Sequence, residues 1–462
     1  MTRFKIFCFA FSVLFLFLSA CHHSVSDPSA NYRATGLVID DAANKPLADA
    51  IITLNDKEML RTGQDGTFPI KADVRRLAVR AYGYTRAERI ININKEITTL
   101  EIRLKPIKPK AIYLTGYGIA SRRLRESALK LIETTELNTL VIDVKGDRGF
   151  IPYPSEIPLV SSIGGQKLIL FKDIKGLVAT LKSKGIYTVA RIVVFKDNLL
   201  GMARPELTIR TTGGAVWRDR ENLIWVDPSQ KEVWDYNIAI AIEAAKNGFD
   251  EIQFDYVRFP DSKGLKFALP NTEENRSAAI SGFLHAAREK LAPYNVFIAA
   301  DVFGYVAWNL NDTNIGQKID QIASAVDYIS LMLYPSGFRF GIPGYRNPVA
   351  NSNRIVYLTL RRAQERTKIP SVRFRPWLQA FRDYAFDRRH FTSAEIQEQI
   401  RASEDFGTNG WMLWNPRNVY TAEGLKPENR EETAMLEQVV LRQDPGVTWK
   451  QVVLRQDFGV SK

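Results

Sequence analysis

The sequence predicts a (β/α)8 TIM barrel, an α/β fold, preceded by a small all-β sandwich domain. Three observations carry this. Eight short apolar runs alternate with helical patterns between Ala111 and Pro416, the order expected of a barrel. Polar residues recur at the ends of those runs. Ahead of them, from Arg33 to Leu104, the pattern is different: short alternating runs are parted by turn signals such as Asn44-Lys45-Pro46 and Gln64-Asp65-Gly66, which suits a small sandwich.

The barrel strands are read, in order, as AIYLTGYG from Ala111, TLVIDVKG from Thr139, YTVARIVVF from Tyr187, EIQFDYVRFP from Glu251, VFIAADVFGY from Val296, YISLMLYP from Tyr328, FRPWLQAF from Phe374 and GWMLWNP from Gly410. Helical patterns lie between them, for example SRRLRESALKLIETTEL and SAAISGFLHAAREKLAP. SAEIQEQIRASEDFG has a capping start at Ser393 and a terminal glycine at Gly407. A doubly wound open sheet is the alternative topology. No glycine-rich loop follows a strand, which argues against nucleotide and dinucleotide binding.

The chain divides into residues 1–20, 21–32, 33–106, 107–435 and 436–462. The first segment has Arg3 and Lys5 followed by an apolar run from Ile6 to Leu18, the pattern of a secretory signal. Residues 21–32 are polar and read as a tether. The last segment carries a local duplication, QVVLRQDPGV followed by QVVLRQDFGV, too short for a repeat fold. The chain has two cysteines, Cys8 and Cys21, so no disulfide is expected beyond the signal. The net charge of +12 suits an anionic polymer, acidic headgroups or simple solubility. No basic helix with interleaved aromatics stands out, so nucleic acid is not an expected partner.

Reactive side chains of a barrel sit at the C-terminal ends of its strands. Those positions hold Asp143 and Lys145, Lys196 and Asp197, Asp255 and Arg258, Asp301, Tyr334, Gln379, and Trp414 with Asn415. A carboxylate buried there must be hydrogen-bonded or paired. Side chains alternate along a strand, so Gln253 and Asp255 point into the barrel while Ile252 and Phe254 face the helices. Pro260 ends the strand and sets Arg258 and Asp261 at the rim, where an Asp255–Arg258 ion pair is the purely structural reading. Asp255 and Asp301 lie on adjacent strands, which places them roughly 5–9 Å apart. Two carboxyl groups so spaced, one protonated and one ionised, are what glycosidic cleavage needs. Proximity of like charges raises one pKa, as the acid requires. Asp143 is a third carboxylate that holds a hydroxyl or tunes the pair, or caps a loop. Among the aromatics Tyr117, Trp308, Tyr334, Trp377, Trp411 and Trp414, the pair Trp377 and Trp411 suits the core, while Tyr334 and Trp414 suit a sugar face. The four histidines form no metal-binding spacing and no GxSxG elbow occurs, so a metal hydrolase, a common serine esterase and a cofactor are not expected.

Three resemblances sharpen this. Leu18-Ser19-Ala20-Cys21 resembles a bacterial lipobox, which implies lipidation of Cys21, a membrane anchor and a cell-envelope location, with the outer membrane favoured because His22 is not an aspartate. Gly36, Val38, Pro46-Leu47, Ala50, Ile52, Thr62, Asp65-Gly66, Phe68 and Gly83-Tyr84 resemble the carboxypeptidase regulatory-like domain. NGFDEIQFDYVRFP resembles the fourth-strand signature of a bacterial family of glycoside-hydrolase-like barrels akin to those of α-amylases, and, with SLMLYP and GWMLWNP, in part those of chitinases. The chitinase acid position is Val257 here. The amylase pattern implies Asp255 as nucleophile and Asp301, in place of the usual glutamate, as acid, while its seventh-strand aspartate is replaced by Gln379. The implied function is hydrolysis of a polysaccharide, with Asp143, Arg258, Tyr334, Gln379, Trp414 and Asn415 binding it. A barrel that binds glycan without cutting it is the alternative.

Overall fold

The computed structural model describes residues 32–91 and 99–428. The segment read as a secretory signal, Cys21, nearly all of the segment read as a tether, and the duplicated tail lie outside the described residues. No helix among the described residues is long and apolar enough to cross a membrane.

Residues 32–91 and 99–104 build two sheets. In one, Tyr32–Asp40 lies between Thr67–Lys71, antiparallel, and Thr99–Leu104, parallel. The other runs Glu58–Arg61, Ile51–Leu54, Arg76–Arg80, Ala87–Ile90, all antiparallel. Alternation sends Val38, Ile52, Phe68, Leu77, Val79 and Ile102 into a shared core. Gly36 is required there, since a Cβ would fall 2.1 Å from the Phe68 ring.

The eight strands expected for the barrel all form, and they close it. In order they are Lys110–Leu114, Thr139–Lys145, Tyr187–Val193, Glu251–Asp255, Phe297–Phe303, Tyr328–Met332, Trp377–Gln379 and Trp411–Trp414. Each pairs in parallel with the next and the eighth with the first, which rules out the open sheet. Ile252, Phe254, Ile298, Ala300 and Leu331 pack outward against the helices. Ala111, Val141, Val189, Ala299 and Met412 fill the interior. Helix starts are locally specified: Thr115, Ser121, Asp173 and Thr272 each accept a backbone N–H of the first turn. The helix Ser393–Phe406 is capped one residue before the expected serine, by Thr392 and Glu395 in a capping box, and ends at Gly407 with φ 87°.

The two-sheet domain sits under the barrel. Tyr82 and Ile107 pack on the interior cluster, Gly83 N donates to Tyr328 Oη at 3.0 Å, and Arg86 donates to Phe249 O at 2.9 Å and Tyr294 O at 3.1 Å. Phe249, Tyr294 and Tyr328 mark the N-terminal ends of the fourth, fifth and sixth strands. The domain therefore forms a floor, and the opposite end stays open.

Candidate active site

The fourth strand runs as a ladder through the barrel, with Glu251, Gln253 and Asp255 on successive inward rungs. At the top rung the neighbouring strands present Tyr113, Asp143, Arg191, Asp301, Trp377 and Trp414. They line an open cavity of about 430 Å³ together with Thr115, Tyr256, Arg258, Tyr305, Tyr334 and Tyr384.

Arg191 organises the centre. Its Nη1 donates to Asp143 Oδ1 at 2.6 Å. Its Nε donates to Asp255 Oδ2 at 3.1 Å, and Nη2 donates to the same oxygen. Asp301 Oδ2 lies 4.0 Å from Nε. The guanidinium also lies over Trp414, 4.9 Å from the ring centre, and Tyr113, at 5.3 Å. Burial opposes its charge, but Asp143 and Asp255 outweigh burial and hold its pKa well above the ordinary value.

The three carboxyl groups are not equivalent. Asp143 accepts from Arg191 and from Tyr113 Oη at 2.5 Å; burial still pushes its pKa up. Asp255 accepts from Arg191 and from the Tyr256 N–H at 2.5 Å. Asp301, 1 % exposed, accepts from Trp377 Nε1 at 2.7 Å and meets Arg191 only at 4.0 Å. Burial first, and the Asp255 charge second, push Asp301 well above the carboxylate range. The site thus holds a carboxyl group whose burial favours its protonated form beside one paired to a guanidinium. Both reach the same Nε, at 3.1 and 4.0 Å, so their nearest oxygens are at most about 7 Å apart, which does not exceed the span glycosidases use.

Tyr256 follows Asp255 with φ 49°, a conformation costly for a bulky residue. That turn aims its N–H at the Asp255 carboxylate and its ring at Trp225.

Of the residues singled out from sequence, Asp143, Asp255, Asp301, Arg258, Tyr334 and Trp414 meet at this cavity. Asp255 and Arg258 form no ion pair with each other; Asp255 is held by Arg191. Gln379 does not reach the cavity. It is fully buried, accepts from Ser336 N at 3.0 Å and donates to Ser336 Oγ at 2.7 Å. Asn415 ties the neighbouring loop together through Ala380 O and Val419 O, both at 2.8 Å. A register shift between the second and third strands turns Lys145 outward, where it meets Asp197 at 2.6 Å and Asn237 at 2.8 Å. Trp377, expected in the core, lines the cavity and holds Asp301, whereas Trp411 packs among the helices. Trp308 donates to Thr359 Oγ1 at 3.1 Å, away from the cavity, and Tyr117 is exposed.

Arg191 and Tyr113 were not singled out from sequence. The available signal was parity: Arg191 is the lone charge in YTVARIVV and shares its face with the inward Tyr187 and Val189. Among the described residues no group of His, Cys, Asp and Glu is placed to hold a metal ion.

No curated protein matches the chain. A hypothetical protein from Ruminiclostridium thermocellum is 40% identical over 41% of this chain and 97% of its own, with a TM-score of 0.37. The PgaB (BpsB) glycoside hydrolase domain from Bordetella bronchiseptica is 14% identical over 68% of this chain and 95% of its own, with a TM-score of 0.51, a likeness of fold. The catalytic domain of a β-amylase from Paenibacillus polymyxa is 12% identical, over 71% and 97%, with a TM-score of 0.44. A family model described as "Putative glycosyl hydrolase domain" matches residues 111–420, the closed barrel and its loops, and the chain belongs to that family of glycosidic hydrolases.

Proposed function

We propose that the protein is a lipid-anchored glycoside hydrolase of the cell envelope that cleaves a polysaccharide, with Asp301 as general acid and Asp255 as nucleophile or base. The observation that carries this reading is the unequal pair: Asp301 buried beside Trp377 with Arg191 only at 4.0 Å, Asp255 hydrogen-bonded to Arg191. An acid must hold its proton until the leaving oxygen needs it, and its partner must stay ionised to meet the developing positive charge at the sugar. Asp301 protonates the glycosidic oxygen. Asp255 attacks the anomeric carbon, or directs water onto it. Asp143, locked to Arg191 and Tyr113, positions the guanidinium. Trp414 and Tyr334 offer apolar ring surface to a sugar face.

In the same reading Cys21 carries the lipid, residues 21–32 form the tether, the outer membrane is the favoured site, and residues 33–106 are a carboxypeptidase regulatory-like domain. The test is reducing-end release from a panel of envelope, capsular and plant glycans by the wild type, Asp255→Asn and Asp301→Asn. Each variant should lose about a thousandfold or more of the rate while keeping its melting temperature within a few degrees. Proton NMR of the first product anomer then assigns retention or inversion. Retention of a glycan on the protein, with no release by the wild type, would leave a binding barrel instead.

A further inference from the structure

Two guanidinium groups line the cavity, and they are provided for differently. Arg191 is matched by Asp143 and Asp255. Arg258 stands on the loop after the fourth strand, over the rings of Trp225 at 4.9 Å and Tyr256 at 5.3 Å. Its hydrogen bond to protein runs from Nη1 to Phe259 O at 3.0 Å, which leaves most of its five N–H donors unused. It forms no ion pair among the described residues. The carboxylates that could have served it are engaged next door. Lys196, over the same Tyr256 ring, lies 3.5 Å from Asp147, 3.2 Å from Asp219 and 2.6 Å from Glu221. Asp255, Asp261 and Asp219 act on Arg258 only at longer range. Burial outweighs them and lowers its pKa from the ordinary guanidinium value.

Arg258 is only partly buried, and a partly desolvated cation without a carboxylate partner still carries a cost. Stacking on two aromatic faces returns part of that cost and fixes the plane of the fork. A fixed, planar, underused donor fork in a cavity wall matches a carboxylate in shape and charge. We propose that Arg258 is the subsite for a carboxylate carried by the sugar, so that the polymer accepted here is an acidic polysaccharide. This rests on the glycosidase reading above and narrows its substrate class.

The test uses the full chain in detergent and affinity electrophoresis. The probes are polygalacturonate, alginate and hyaluronan, each beside its carboxyl-reduced counterpart, with dextran sulfate as a control for bulk charge. The wild type should be retarded by at least one acidic polymer, and about tenfold more weakly by its reduced form. Arg258→Met should bind the two forms alike, and Arg258→Lys should restore part of the difference. Three results would overturn the proposal: equal binding of acidic and reduced forms, no binding of any acidic polymer, or equal retardation by dextran sulfate. If Arg258→Met fails to fold, the wild-type comparison and Arg258→Lys still decide. The hydrolase reading fails separately: an acidic polymer bound through Arg258 but never cut sinks that reading alone. A neutral polymer cut through Asp255 without regard to Arg258 sinks this one alone.

Discussion

The two ends of the barrel are built from the same kinds of side chain and behave differently. At the floor, Glu251 Oε2 accepts from Arg375 Nη1 at 2.5 Å and from Tyr187 Oη at 3.1 Å. Arg375 also donates to Asn409 O at 2.9 Å and Oδ1 at 2.8 Å and lies 4.0 Å above the Tyr328 ring centre. One acid meets one base, and Tyr82 and Ile107 close the space below. At the mouth, about 13 Å further along the same strand, one base meets two acids, a third acid stands nearby, and the cavity is open. A buried charge that is balanced and sealed holds a fold together. Burial first, and the surplus of carboxyl groups around one cation second, favour the protonated form of one of them, and the opening gives that proton a way out.

Removing the cation at each end should separate the two roles. Arg191→Met leaves Asp143 and Asp255 facing each other, so one of them takes up a proton. The expected loss of reducing-end release is about a thousandfold. Arg375→Met strands Glu251 in the sealed floor and should cost about 3–5 kcal/mol of stability in urea unfolding, while the molecules that remain folded keep their turnover. Equal effects of the two variants on turnover would break the comparison.

A smaller and sharper difference lies in pH. Asp301 holds its proton in the folded protein well above the pH at which it ionises in the unfolded chain. From about pH 4 up to its folded pKa, the native state binds one more proton, so this group makes stability fall as pH rises. The same ionisation removes the acid, so kcat/KM falls on the alkaline side with a midpoint above the usual carboxylate range. Asp301→Asn should abolish that contribution to the stability slope; a melting-temperature profile unchanged between the two proteins would contradict it. The floor gives the smallest effect. Tyr328→Phe removes the acceptor for Gly83 N and should cost about 1 kcal/mol, read as a lower melting temperature with kcat unaltered.

The barrel was legible because each strand is a short apolar run whose two faces are both buried, bounded by glycine, proline or polar turns. The pairing of Asp255 with Asp301 followed from the resemblance to amylase-type barrels and from their places on adjacent strands. Gln379 and Trp377 show where this reasoning stops. The seventh strand spans only Trp377–Gln379, so its level in the barrel depends on the loops at either end. Gln379 serves those loops, while Trp377, two residues earlier, reaches the mouth. The exchange of Arg258 for Arg191 as the partner of Asp255 has a similar cause. A residue three positions along a chain looks close, but the left-handed turn at Tyr256 carries Arg258 away. The third strand brings Arg191 alongside, since Val193 pairs with Asp255. Cross-strand neighbours outrank sequence neighbours here, and only the closed sheet reveals them. The floor was not visible at all, since it depends on contacts between segments some two hundred residues apart, such as Gly83 and Tyr328.

That floor also gives the molecule a direction. The described residues begin at Tyr32, in the domain beneath the barrel, and the cavity opens at the barrel's other end. Whatever holds the protein by the segment before Tyr32 would point the opening outward, like a nozzle on a fixed hose.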